Sequence, residues 1–566
     1  MTNFTQLILF LSVIISSLFS TVVNAAEINR EWLDNDSEIT ALLPTSVFKL
    51  PELQPDHNLA GTITLSAIKG SHYFNLIRDD WDLVSDTQWR IPELPEMNFD
   101  VVSQQQYLVS NKATIQRSSH PHWEWQVGTG QFSKIATHSV RVVMPFALSE
   151  KNANCTHNGW LLFELNSSQQ ASKGYYQITS ETCAYLQFDL AGRVEVEFSA
   201  ADIADSDTLV ARFKQSNRRD SLTAADLISS YPQLNLERLM PPQREASTVS
   251  GIVINGTHYQ LNCDTRAGRH PDCRQLALPS YSTAKSLYAG LTLMYLEQRV
   301  PGIEHVLVQK IIPECTEKKW QFVTLGDLLN MRTGNYLSRD LDADESSERS
   351  INFLTAMTHQ QRLEMACTMY PNKSKPGKYF VYHTSDTYLA GVMMERLFKQ
   401  LSRLDDIYRN LVVNSLWSTL NLSPLLDDSK RTYDDTEHTL TGWGLTFTTD
   451  DVIKLAEFIM QQTTAEQPML DPRMMASALQ LDGERINREG GAANLAYNYG
   501  FWALEVGTRL GCKEPKWLPF MSGFGGISLV FVSADIFYYN FADNYRHVWL
   551  EIIAELHQQF PICEVE

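Results

Sequence analysis

The sequence predicts two folding units in one chain. An all-β, sandwich-like region covers residues 26–215, and an α+β domain covers 249–566. Two observations predict this. The first half is built from short alternating runs punctuated by turn signals, the period-two pattern of strands with one buried face. The second half opens on a hairpin pattern, Ile252 to Leu261 about Asn255-Gly256, then turns helix-rich until about residue 475, and closes on strand patterns again. Strands at both ends with helices between them imply an α+β domain whose sheet joins its two ends.

Taken in order, residues 6–23 form an apolar run followed by Val23-Asn24-Ala25, a small-residue cleavage pattern. This is expected to be a signal peptide spanning 1–25, which places the protein in the periplasm or outside the cell. Met1 to Thr5 carry no Lys or Arg, so an uncleaved N-terminal anchor is the alternative. No later segment is long and apolar enough to span a membrane. Eight cysteines, an even count, fit an oxidising compartment. Nearest-neighbour pairing joins Cys155 to Cys183, Cys263 to Cys273, Cys315 to Cys367 and Cys512 to Cys563. No Cys-x-x-Cys occurs, and His120-Pro121-His122 reads as a loop, so neither a metal nor another cofactor is expected. The net charge of -19 argues against nucleic acid or an anionic membrane surface as partner.

Within the β region, Tyr185 to Leu190 and Arg193 to Phe198 alternate about an Ala191-Gly192 turn, and Ser139 to Met144 and Trp160 to Leu165 read as further strands. Trp81, Trp89, Trp123, Trp125 and Trp160 are expected in its core, with a carbohydrate-binding face as the alternative. Any ligand of this region is left open. Residues 216–248 read as a polar linker around one short helix. Near the end, Ile527 to Val532 and Ile536 to Asn540 read as strands, and Asn544 to Gln559 as an amphipathic helix.

The candidate chemistry begins at Ser282 and Lys285, three apart on the first turn of a helix, where a hydroxyl and an amine share one face. The spacing alone is weak: Ser46 with Lys49 and Ser66 with Lys69 repeat it. Other motifs follow in order. They are Trp320 and Val323 to Gly334 (VTLGDLLNMRTG), Pro376 to Thr384 (PGKYFVYHT), Gly442-Trp443-Gly444-Leu445-Thr446, Tyr499-Gly500-Phe501-Trp502, and Met521-Ser522-Gly523-Phe524-Gly525-Gly526. This ordered series, from roughly 245 to 566, resembles the class C β-lactamase-like serine hydrolases, which include penicillin-binding peptidases, esterases and 6-aminohexanoate-dimer hydrolases, and implies their fold, an antiparallel sheet with a helical subdomain.

The resemblance implies Ser282 as the acylated nucleophile, with Lys285 and Tyr382 sharing its proton and neither singled out as the base. It implies an oxyanion hole from the backbone N–H groups of Ser282 and Phe524, with Ser522 and Gly523 giving the substrate close access to that strand. In this reading Phe524 acts through its backbone alone. Two positions depart from the family. Thr384 stands where an amide side chain is common, and is expected to touch Lys285 and the substrate. Met521 stands where β-lactamases and peptidases place a cation, whose charge-assisted bond is worth roughly 1.5–3 kcal/mol. Both departures point to a small, neutral carboxylic ester or amide as substrate. The alternatives are a β-lactamase or D,D-peptidase, or a catalytically silent binding protein. His383 is expected to be structural, and the Gly-x-Ser-x-Gly elbow of another hydrolase class is absent.

Overall fold

The computed structural model describes residues 28–565 except 52, 54–57, 69–73, 81–93, 137–138, 217–219, 241–246 and 483–493. The apolar run at 6–23, Lys69, Trp81 and Trp89 therefore lie outside the described residues.

The described strands between residues 60 and 200 form one antiparallel sheet that closes on itself. Strand Ala60–Ala67 pairs with Met97–Gln104 on one side and with Asp189–Ala200 on the other. The strands starting at 60, 97, 107, 130, 139, 156, 174 and 189 follow one another around the ring. A barrel thus replaces the expected sandwich. The reason lies at Ala191-Gly192, which do not turn. The chain runs through them as a single strand, Asp189–Ala200, pairing its first half with Gly174–Thr182 and its second with Ala60–Ala67. A Cβ on Gly192 would lie 2.5 Å from the ring of Tyr176, so this glycine admits a close approach at a barrel corner. Gly192→Val is expected to cost about 1–3 kcal/mol by overpacking, seen as a lower urea midpoint. Trp123, Trp125 and Trp160 are all buried, as core residues.

The second unit is an eight-stranded sheet. Its centre joins the two ends of the domain: Ser247–Ile254 pairs with Ile536–Ala542. The hairpin turns at Asn255 and Gly256, whose φ values of 50° and 75° are those of a tight primed turn. Val249, Val253, Leu529 and Tyr539 face the helical layer. Ile252, Ile254, Val530 and Tyr538 face the C-terminal helix Trp549–Gln559. Residues 220–240, expected as a linker, belong to this outer layer. Leu222–Thr223 adds a parallel strand beside Tyr259, and Leu227, Leu234 and Leu239 are buried in the same cluster as Trp549. The segment looks polar because only one side of it is covered.

All four cysteine pairs are bonded as nearest neighbours. Among the described residues, no helix is long and apolar enough to cross a membrane.

The two units meet along a polar seam. Glu124, Gln126 and Asn158 occupy one sheet face and are buried. Lys430 Nζ donates to Glu124 at 2.8 Å, the Asn158 carboxamide exchanges two bonds with the Ala277 backbone (2.9 and 3.0 Å), and Arg266 holds Glu181 and Asp189 at 2.6 Å each. Polar residues that alternate as if toward solvent thus face the second unit.

Candidate active site

Ser282 and Lys285 sit where an extended segment enters the central helix. Leu278–Pro279 pairs with Thr446–Phe447, the chain turns at 280–282, and a wide helical turn, Lys285–Gly290, leads into helix Leu291–Arg299. Every residue from Lys285 to Glu297 is buried, so this helix is enclosed on all sides. Lys285 is 1% exposed, and its Nζ donates to Ser282 Oγ at 2.9 Å and to the Gly442 carbonyl at 3.2 Å. A Cβ on Gly442 would stand 2.9 Å from the Thr384 methyl and 3.5 Å from Lys285 Nζ, so a glycine here brings the carbonyl within reach of the amine. By contrast, Ser46 and Lys49 are exposed.

Tyr382 comes from an irregular segment held by the 323–334 motif. Val381 N–H donates to the Met331 carbonyl at 3.0 Å and Gly377 N–H to that of Arg332 at 2.8 Å. Phe380, Tyr497 and Trp502 surround the Tyr382 ring, with Trp502 stacked on it at 5.5 Å. Ser282 lies near enough to its hydroxyl to lower the phenol's pKa, and Lys285 Nζ lies 5.1 Å from its ring centroid. The structure therefore brings Ser282, Lys285 and Tyr382 together.

Burial separates the two candidate bases. It lowers Lys285 from 10.5 to about 8, against the opposing pull of the Glu345 carboxylate. Burial, with Tyr497 and Glu345 adding to it, holds Tyr382 well above its ordinary value, and Ser282 offsets only part of this. Near neutral pH a useful fraction of Lys285 is thus unprotonated and able to take a proton from Ser282, while Tyr382 keeps its own.

Thr384 differs from expectation. Its hydroxyl is bonded to Glu345, as is its backbone N–H at 2.9 Å, and the methyl group is what faces Gly442. Thr384 opens helix Thr384–Ser402, whose free N–H groups attract a carboxylate, and Glu345 fills that role. Glu345 was not legible in the sequence, where it is one of several acidic residues between 340 and 348 with no spacing to tie it to Tyr382. Its neighbour Asp344 bonds His383 at 3.0 Å, and Tyr370 stacks on the same ring at 4.1 Å. Burial opposes charge on His383, but hydrogen bonds to Asp344 and Asp386 prevail and raise it to about 9. His383 is thus fixed in place behind the site.

On strand Trp517–Gly523, the pleat separates the predicted residues. Ser522 pairs with Ser528 on the face that carries Phe520 and Val530, whereas Met521 packs into the core of the helical layer. The Ser522 side chain accordingly shares the face of the sheet packed on the C-terminal helix. Gly523 is the part of this strand that reaches the turn before Ser282: a Cβ there would lie 3.0 Å from the Ser280 carbonyl. Phe524 is 46% exposed, and its ring packs among others. It lies 5.7 Å from that of Tyr281, the residue before Ser282, 6.1 Å from Tyr185 of the barrel and 5.2 Å from Tyr545, forming an aromatic rim. Cysteine–histidine groupings occur at Cys155, His157, Cys183 and at Cys263, His270, Cys273, but their sulfurs are bound in disulfides and offer no thiolate.

No family model and no curated protein matches this sequence. Among solved structures, the chain is similar to a putative 6-aminohexanoate-dimer hydrolase from Bacillus anthracis. The likeness has a TM-score of 0.45 at 14% identity, over 62% of this chain and 90% of that one. It is also similar to a class C β-lactamase mutant, with a TM-score of 0.41 at 13% identity, over 64% of this chain and 99% of that one.

Proposed function

We propose that the protein is an exported serine hydrolase that forms an acyl-enzyme on Ser282. The observation that carries this reading is the 2.9 Å contact between Ser282 Oγ and an amine buried to 1% exposure. Neutral Lys285 takes the serine proton as Oγ attacks the substrate carbonyl carbon. The Ser282 and Phe524 N–H groups receive the oxyanion, and Tyr382, still protonated, passes a proton toward the leaving group. Water then attacks the acyl carbon by the same route in reverse, releasing the acid and restoring the Ser282 hydroxyl. No metal or cofactor is needed for these steps.

A small neutral ester or amide suits the site. Met521 takes the position of a carboxylate-binding cation and is itself buried, and the rim of Tyr281, Phe524, Tyr185 and Tyr545 favours an apolar group. The barrel is read as a unit preceding the hydrolase. Export is supported by the apolar run at 6–23 and by four disulfides.

A fluorophosphonate probe tests the reading: wild type is expected to be labelled and Ser282→Ala is not. Absence of labelling in wild type, or equal labelling of both, overturns the hydrolase assignment in favour of a binding protein. Nitrocefin is expected to be turned over poorly, and rapid turnover would move the substrate class to β-lactams.

A further inference from the structure

Asn154 lies in the barrel, in the loop between strands Ser139–Glu150 and Thr156–Leu165, yet its contacts are around Ser282. Its side chain is fully buried. The carboxamide oxygen accepts from Tyr281 N–H at 3.0 Å, from Ser280 Oγ at 3.2 Å and from Gly444 N–H at 2.7 Å. Ser280 Oγ in turn accepts from Leu445 N–H at 3.1 Å. One oxygen thus ties the two residues preceding Ser282 to the segment whose Gly442 carbonyl takes Lys285.

The backbone it holds is strained. Tyr281 has φ +41°, a left-handed conformation that a bulky side chain disfavours. Such a conformation persists only where surroundings over-determine it, and here those surroundings come largely from the barrel. Asn154 fixes the Tyr281 amide, while Tyr185 reaches the aromatic rim around the Tyr281 ring. Trp443, beside Gly444, is held to the same loop by its bond to the Asn152 carbonyl at 2.9 Å.

We propose that Asn154 is a positioning residue for the nucleophile, so that the barrel supplies part of the catalytic framework. This rests on the serine hydrolase reading above. Asn154 touches no reacting atom. It acts by fixing the Tyr281 peptide and hence the direction in which Ser282 Oγ points relative to Lys285. A displacement of about 1 Å in such a group can cost roughly 10²-fold in rate.

The test uses the full chain and the second-order rate of fluorophosphonate labelling per folded molecule, with folding followed by near-UV circular dichroism. Wild type unlabelled, or Ser282→Ala still labelled, overturns the hydrolase reading and this proposal with it. With wild type labelled, Asn154→Ala is expected to slow labelling by about tenfold or more. Asn154→Asp keeps the accepting oxygen and is expected to recover most of that loss. Labelling of the alanine variant at the wild-type rate overturns this proposal alone, as do equal losses in the two variants. Should Asn154→Ala fail to fold, Ser280→Ala decides: it removes one donor and leaves the barrel intact. Slowing of about threefold or more supports the clamp, and an unchanged rate overturns it.

Discussion

Lys285→Ala is expected to slow acylation of Ser282 by about 10²–10⁴-fold, the range for loss of a positioned general base. The amine is lowered to about 8 by burial, so its neutral, proton-accepting form predominates above that pH and its ammonium form below. In wild type, labelling should therefore rise about tenfold per pH unit up to about pH 8 and level off above it. The alanine variant should lose this step as well as the rate. Tyr382→Phe offers the contrast, since a phenol held well above its ordinary value is protonated throughout this range. That substitution should lower the rate and leave the pH midpoint in place. A wild-type profile flat from about pH 6 to about pH 9 would remove Lys285 as base.

Lys430→Met is expected to destabilise the protein by about 3–5 kcal/mol. The Lys430 side chain is 1% exposed, and its partner Glu124 in the barrel is 5% exposed at 2.8 Å. Removing the ammonium leaves a buried carboxylate with the Tyr433 hydroxyl, 2.5 Å away, as its remaining side-chain hydrogen-bond partner among the described residues. Desolvation of that unpaired charge is the source of the loss, so Lys430→Met combined with Glu124→Gln should recover much of it. Urea unfolding of the two variants measures this. Equal stability of wild type and Lys430→Met would show that the seam tolerates an unpaired charge.

Much of the second unit was legible in the sequence because its signals are local. The Asn255-Gly256 turn, the apolar periodicity after Ser282 and the cysteine spacing each depend on neighbours within a few dozen residues. Ser282, Lys285 and Tyr382 were found through an ordered series of motifs, and they meet. What escaped was set by tertiary partners. Gly192 has the composition of a turn, yet the Tyr176 ring and the curvature of a closed sheet hold it extended. Thr384 keeps its hydroxyl for Glu345 rather than for the site, because a helix N-terminus and a nearby carboxylate attract each other more strongly. Ser522 was assigned by motif position as a small residue on the strand edge, and motif position does not tell that its side chain lies on the opposite face from Met521. Asn154 had no signal at all: one asparagine near a cysteine is ordinary until a distant loop folds onto it.

The seam has a consequence for dividing the chain. Apolar interfaces between domains can be lost and regained by mixing modules, since each exposed side is merely greasy. This one instead divides matched charges and carboxamides, Lys430 with Glu124, Arg266 with Glu181 and Asp189, Asn158 with the Ala277 backbone. The second unit grafted onto a foreign partner would bury those groups unpaired. The two halves of this chain are therefore matched group by group, and either half taken alone would leave those groups without their partners.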